Sequence, residues 1–396
     1  MHTGGFRLGS YGFLTAFVFM TTVGACYAQK PDDPAVRYAK KFDIVIANPL
    51  ALNRPGEPVV IPLSQIMATT PDFNRNFFRV KYKAVMFEPL DIPSQIRLIP
   101  DGRKIEELVF QVDLGPREKK AVELHYNPQG SGLPAYPART QSFEKWYTGG
   151  VNIAWENEVA AYRSYGGLID FFGKSYTHLR LQDMPPDSYH HERLWGVDPF
   201  VIGKKPGLCG VMLFEGNDRV QCYGEREGIV YIYKAYIGGP VCAGAVVVME
   251  NKGEPVVEES YSLYAGRYYN EVRTVPSKQH LQKGALVAPG MQKNDKETVQ
   301  FNEKQGYLAA QALTDEYGAI GLALIWNPGA FAGMAETNDG RFIKLKPSPD
   351  GSVRYLSLAV WHRGSAEQPA SMDALVKMAD ELSQGFRNPV QVEIGK

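Results

Sequence analysis

The sequence predicts a mostly β protein: an N-terminal immunoglobulin-like β-sandwich, then a larger antiparallel β-sandwich of the supersandwich type, with a C-terminal helix. Three observations predict it. Short alternating apolar segments follow one another from Phe42 to Tyr126. A Pro- and Gly-rich stretch interrupts them at 127–142. β-rich runs then continue up to a single stretch of helical periodicity that starts at Ser371.

Residues 1–28 read as a signal peptide. Arg7 precedes the apolar run "YGFLTAFVFMTTV" (Tyr11 to Val23), which is too short to span a bilayer and suits the core of an export signal. Two processing routes are open. Cleavage after Ala28 leaves a soluble periplasmic protein. Alternatively "VGAC" acts as a lipobox, and acylated Cys26 anchors the protein to a membrane. Either route predicts an exported protein.

Residues 29–140 form the first predicted domain. "FDIVIA", "PVVIPL", "FRVKYKAVMF", "SQIRLIP", "ELVFQVDL" and "KAVELHY" are six strands, separated by the turn formers "NRPGE", "TTPDFN", "PDGR" and "GPRE". "NPQGSGLPAYPARTQS" marks the boundary. From 143 to 396 strand-like runs such as "GIVYIYKAYI", "AGAVVVME" and "VRYLSLAVW" are too many for a simple sandwich. They fit a galactose-mutarotase-like supersandwich. In "SMDALVKMADELSQGF", Met372, Leu375, Val376, Ala379, Leu382 and Phe386 share a helical face, with Ser371 as the cap and Gly385 as the stop.

The 43 basic and 43 acidic residues cancel, which argues against a dedicated nucleic-acid binder. Beyond Cys26 stand Cys209, Cys222 and Cys242. Their spacing matches no zinc pattern, and a structural role, with one disulfide and one buried thiol permitted, is the expectation.

Candidate chemistry concentrates between Trp155 and Cys209. Arg163 can grip a carboxylate with its planar fork, and His190 titrates near neutrality and can serve as base or acid. Tyr162 or Tyr189 can complement it, and Asp198 can orient a histidine. Trp155 and Trp195 can stack on a sugar ring, beside Asn157 as a polar contact. "YAGRYYN" (Tyr264 to Asn270) and "VWHRG" (Val360 to Gly364) each set an arginine beside aromatics, and Lys204, Arg267 and His362 are further candidates for an anionic ligand. Plainer roles compete: Arg163 pairing with Glu158 or with another sheet carboxylate, Tyr162 or Trp195 in the core, Lys204 and Lys205 in a solvated loop, and Arg267 and His362 in cross-strand pairs. If "YHHER" is a strand, His190 and His191 point to opposite faces and cannot share one ion. Asp187, Glu192, Asp198 and His178 are ligand types, but no HExxH-like spacing occurs, so no metal site and no cofactor are expected.

The chain resembles the DUF4861 family. The resemblance rests on Trp155-Glu156-Asn157-Glu158, Ala161-Tyr162-Arg163, Ile169-Asp170, Gly173-Lys174, Tyr189-His190, Trp195-Gly196-Val197-Asp198 and Ile202-Gly203, with "ANPLALNRPGEPVVIP" and "IPSQI" upstream. It covers nearly all of the chain after the leader, and departs from the family pattern at Glu158, at Cys209 and in the doubled histidine. The resemblance implies an exported protein of polysaccharide-utilising bacteria. That family includes an oligosaccharide dehydratase of ulvan breakdown, acting on a uronic acid. β-Elimination there needs a group to neutralise the carboxylate, a base for the C5 proton and an acid for the departing C4 oxygen. The leading expectation is therefore a dehydratase or lyase whose partner is an anionic oligosaccharide. On this reading His190→Ala and Arg163→Ala abolish turnover and leave the fold intact. Two rivals are a non-catalytic glycan-binding protein and a glycoside hydrolase or mutarotase-like epimerase. A hydrolase would draw its carboxylate pair from Glu156, Glu158, Asp170 and Asp198.

Overall fold

The computed structural model describes residues 38–83, 90–147, 150–183, 189–236, 238–364, 368–369 and 371–395. The leader, with Cys26, and Ala84 to Phe87 of the third predicted strand lie outside these residues. All strand pairs within the sheets are antiparallel.

The first sandwich has the predicted strands. One sheet runs in the order Gln391–Ile394, Lys40–Ala47, Lys119–Tyr126, Phe78–Tyr82 and Asp91–Ile92. A second, three-stranded sheet has Glu106–Leu114 between Arg54–Pro62 and Ser94–Leu98. Alternation decides which side chains meet: Ile44, Ile46, Val122 and Leu124 from the first sheet pack against Val59, Ile61, Leu108 and Phe110 from the second. The second predicted strand ends one residue early, at Pro62. There the chain turns into the short helix Leu63–Thr69, which buries Leu63 and Ile66, spaced one helical turn apart. The edge of the first sheet is completed from the far end of the chain, where Ile44 faces Ile394 and Ala47 faces Gln391.

The second sandwich is built on an eight-stranded sheet. Its order is Ile229–Tyr236, Cys242–Asn251, Glu254–Tyr264, Tyr269–Pro276, Val353–Trp361, Gly318–Trp326, Tyr307–Thr314 and Glu297–Asn302. Two five-stranded sheets lie over its inner face. One runs Gly196–Val197, Leu168–Lys174, Ala161–Tyr165, Gly150–Asn157 and Thr140–Tyr147. The other runs Asp218–Gln221, Val211–Glu215, Leu286–Gln292, Gly340–Leu345 and Phe331–Glu336. Val353–Trp361 shows why such strands read as continuous apolar runs: it is covered on both faces. Tyr355, Ala359 and Trp361 enter the inner core, while Leu356, Leu358 and Val360 meet Leu375 and Ala379 of the outer helix.

That helix is Met372–Arg387, and the Ser371 hydroxyl accepts from Ala374 N at 3.3 Å as predicted. The predicted stop at Gly385 is not one. The helix runs through it to Arg387, because Gly385 does not take the positive φ of a helix stop, and Arg54 holds the helix end through Asn388 O at 2.8 Å and Gly385 O at 3.4 Å. Cys209, Cys222 and Cys242 are all buried free thiols, so the permitted disulfide does not form. Among the described residues no helix is long and apolar enough to cross a membrane.

A candidate acid/base site around His190

Two glycines create the foundation of the site. Strands Ala161–Tyr165 and Leu168–Lys174 are joined by Gly166 and Gly167, both at positive φ (53° and 67°), the two-residue hairpin geometry that side chains resist. With that turn fixed, Arg163 and Asp170 stand directly opposite each other. The Arg163 guanidinium bonds Asp170 and lies 3.3 Å from Asp198 Oδ2, so one cation serves two fully buried carboxyls. It does not pair with Glu158, which binds Arg139 and Gly266 N. Three rings enclose the guanidinium, those of Tyr189 (4.7 Å), Tyr165 (4.8 Å) and Phe172 (5.2 Å).

Asp198 arrives from the short strand Gly196–Val197, which pairs with Gly173 and Lys174. Gly196 cannot be replaced cheaply: its φ is 137°, and a Cβ would sit 1.8 Å from Gly173 O. Asp198 N donates to Tyr189 O at 2.8 Å, which brings the Tyr189–His190 turn over the carboxyl. His190 Nδ1 then lies 3.5 Å from Asp198 Oδ2, with the imidazole side chain 54% exposed and the carboxyl fully buried. From the other side Tyr317 donates its hydroxyl to His190 O, and Tyr317 O accepts from Trp361 Nε1 (2.9 Å) and Arg363 Nε (3.2 Å). Arg363 also pairs with Glu192 at 3.0 Å. His190 and His191 occupy a turn and a bend, not a strand, so the expected opposite-face geometry does not apply.

The electrostatics follow from burial. Burial raises Asp170, against the pull of Arg163. Burial and the neighbouring Asp170 charge push Asp198 well above the carboxylate range, with Arg163 opposing. Burial would lower Arg163, but the two carboxyls more than offset it and hold it charged. Partial burial takes His190 below its usual 6.5, with Asp170 opposing and Arg163 assisting. The imidazole is therefore neutral at pH 7 and able to accept a proton.

Several predicted site residues lie elsewhere or are committed to structure. Trp155 is fully buried and donates Nε1 to Asn270 Oδ1 at 2.7 Å, so it offers no face to a sugar. Tyr162 is equally buried, its hydroxyl donating to Tyr268 O and accepting from Ala359 N, and burial raises its pKa far from neutrality. Asn157 donates to Tyr264 O and Arg267 O and accepts from Val159 N and Ala160 N, pinning loops. Trp195 is half-buried edge-on to Phe172. Lys204 is exposed in a turn. Arg267 binds Gly56 O and Glu57 beside a different cavity. His362 sets Nδ1 on Ala319 O at 2.9 Å, next in sequence to Trp361 and Arg363.

The residue with no signal in the sequence is Tyr317; Arg363 stands in the second-tier stretch "VWHRG", and Asp170 is the sheet carboxylate that pairs with Arg163. Among the described residues no group of three or more His, Cys, Asp or Glu side chains converges for a metal ion.

A family model described as "Domain of unknown function (DUF4861)" matches residues 46–392. No curated protein matches. Among solved structures, the chain is similar to a protein in the glycosyl hydrolase family 38 from Enterococcus faecalis. The TM-score is 0.52 at 8% identity, over 92% of this chain and 48% of that one. An alpha-mannosidase from Enterococcus faecalis V583 gives a TM-score of 0.42 at 8% identity, over 92% of this chain and 47% of that one. The chain thus spans about half the length of each, and at 8% identity the likeness to the first is one of fold.

Proposed function

Because the chain belongs to the DUF4861 family over residues 46–392, we propose that it is an exported carbohydrate-active enzyme. It performs β-elimination, as a dehydratase or lyase, at a uronic acid of an oligosaccharide. The leader at residues 1–28 supports export, to the periplasm or to a membrane through Cys26. The observation that carries the chemistry is the half-exposed His190 imidazole held 3.5 Å from a buried carboxyl.

Nδ1 is turned to Asp198, so Nε2 is the nitrogen left for substrate. It takes the C5 proton, the electron pair of that C–H bond forms the C4–C5 double bond, and the C4–O bond breaks with its pair on the departing oxygen, which takes a proton from solvent water. Arg163 is too deeply enclosed to reach a sugar, and its role is to hold the carboxyls beneath the imidazole. Arg363, partly exposed and tied through Tyr317 to the His190 backbone, is the guanidinium placed to neutralise the uronate.

The hydrolase alternative draws less support. Asp170 and Asp198 share one guanidinium in the interior. Glu156 is buried among Lys174 Nζ, Gln141 Nε2 and the Arg180 and Leu181 amides, and Glu158 is bound to Arg139. None of the four forms a pair across an open cleft.

The test is to incubate the protein with uronate-containing oligosaccharides, following ultraviolet absorbance and mass together. Loss of one water without chain cleavage identifies a dehydratase, and cleavage with absorbance a lyase. Cleavage without absorbance identifies a hydrolase, and binding with no mass change removes all three.

A further inference from the structure

A cavity of about 940 Å³ lies on the opposite face of the eight-stranded sheet from the inner core. It is walled by the first sandwich, the sheet and the helix Met372–Arg387. The volume is that of a pocket for a ligand of several rings. Its lining holds seven arginine or lysine residues against five carboxylates. On its floor the sheet register sets Arg273 directly opposite Arg354, with Ser260 on the other side of Arg273. Like charges facing each other across strands are unfavourable unless an anion intervenes.

The two arginines are not equally satisfied. Arg273 lies 3.3 Å from Asp350, whose carboxylate is also held by the Ser348 and Ser352 hydroxyls. Arg354 is 64% exposed, and its nearest carboxylate, Glu271, is 3.8 Å away and already accepts from Tyr264 Oη. The guanidinium of Arg354 makes no hydrogen bond among the described residues. Lys346 Nζ, on the same lining, likewise has no partner among them. Ser260 and Ser262 add hydroxyl-bearing side chains to the floor, and Tyr269, Leu356 and Leu382 add apolar surface. Polar floor beside apolar wall is the mixture that sugar rings require.

We propose that this cavity is a second saccharide site, separate from the His190 site, that takes the carboxylate or sulfate of an acidic sugar on Arg354, with Lys346 and Arg273 supplying further positive charge. The saccharide part rests on the carbohydrate reading above. The anion part rests on the facing arginines. One bidentate contact, two parallel hydrogen bonds from Arg354 to an oxyanion, would replace its loose contact with Glu271.

The test is calorimetric titration of the full chain with glucuronate-containing oligosaccharides, their neutral glucose counterparts, and sodium sulfate alone. Turnover of the unsubstituted protein is followed in parallel. Arg354→Gln and Lys346→Gln both alter exposed side chains, so neither is expected to disturb folding, which circular dichroism checks. The expected result is binding of the acidic sugar that weakens at least tenfold in Arg354→Gln, several-fold in Lys346→Gln, and that sulfate competes away. Equal affinity for the neutral counterpart, unchanged affinity in both variants, or no acidic-sugar binding overturns the proposal. If Arg354-dependent binding persists while no uronate is ever converted, the cavity site stands and the elimination reading falls. Conversion with Arg354-independent binding has the reverse meaning.

Discussion

His190 presents a half-exposed imidazole to solvent while its Nδ1 rests 3.5 Å from Oδ2 of the fully buried Asp198. The pairing couples an accessible proton acceptor to an interior that cannot relax around a new charge, and the first prediction concerns that acceptor. His190→Ala should reduce kcat/KM for β-elimination by about 10²- to 10⁴-fold, the usual worth of a positioned general base. The melting temperature should change little, because the ring is half-exposed. Absorbance of the unsaturated product reads the first quantity and thermal denaturation the second. Near-normal turnover would place the reaction elsewhere on the molecule.

Partial burial lowers the His190 pKa from 6.5, and only the neutral ring can take a proton. The rate should therefore be sustained from neutral pH down through 6.5 and fall only at lower pH. A kcat/KM profile for the free enzyme measures this acid limb. A midpoint above 6.5 assigned to His190 would contradict the burial argument.

Arg163→Ala is expected to fail structurally before it fails chemically. Removing the guanidinium strands two buried carboxyls with no cation, a loss of about 3–5 kcal/mol for a broken buried ion pair. Urea denaturation should show this, and Arg163→Met combined with Asp170→Asn should recover part of it. A stable, inactive Arg163→Ala protein would instead return Arg163 to the substrate, as the sequence reading had it.

Glu259 is fully buried in the inner core with Tyr261, Tyr355 and Thr274 nearby, and burial raises its pKa to about 8 from 4.5. The folded form holds a proton that the unfolded chain releases, so the stabilisation is complete below 4.5 and is lost as pH rises towards 8. In that window stability should fall by about 1.4 kcal/mol per pH unit from this group alone. Glu259→Gln, which cannot ionise, should flatten that slope in chemical denaturation at stepped pH. An unaltered slope would show that Glu259 does not titrate between these limits.

Much of the fold could be read in advance because its strands are short, alternating and separated by turn formers. The first sandwich is the clearest case: Ile44, Ile46, Val122 and Leu124 already lie on one face by parity. The Arg163–Asp170 pair was also within reach. The expectation of a sheet carboxylate for Arg163 leaves the partner open between Glu158 and others, and counting three residues back from Gly166 and three forward from Gly167 singles out Asp170. What could not be read is convergence from a distance. Tyr317, in the turn between Tyr307–Thr314 and Gly318–Trp326, reaches His190 O, and Arg363, just past the end of Val353–Trp361, binds Tyr317 O; no local pattern announces that meeting. Trp155 and Tyr162 misled for a related reason. In a strand covered on both faces, an aromatic side chain in the core has the same sequence signature as one on an open sugar platform.

The pairing of Ile44 with Ile394 makes the first layer wait for a distant part of the sequence. Among the described strands Lys40–Ala47 comes first and its neighbour Gln391–Ile394 comes last. Until the two meet, one side of Lys40–Ala47 carries an open row of amides and carbonyls, ready to pair with another incompletely folded chain. Arrival of this strand is thus a checkpoint for the layer, and a truncation after Val390 would act on the opposite end of the sequence.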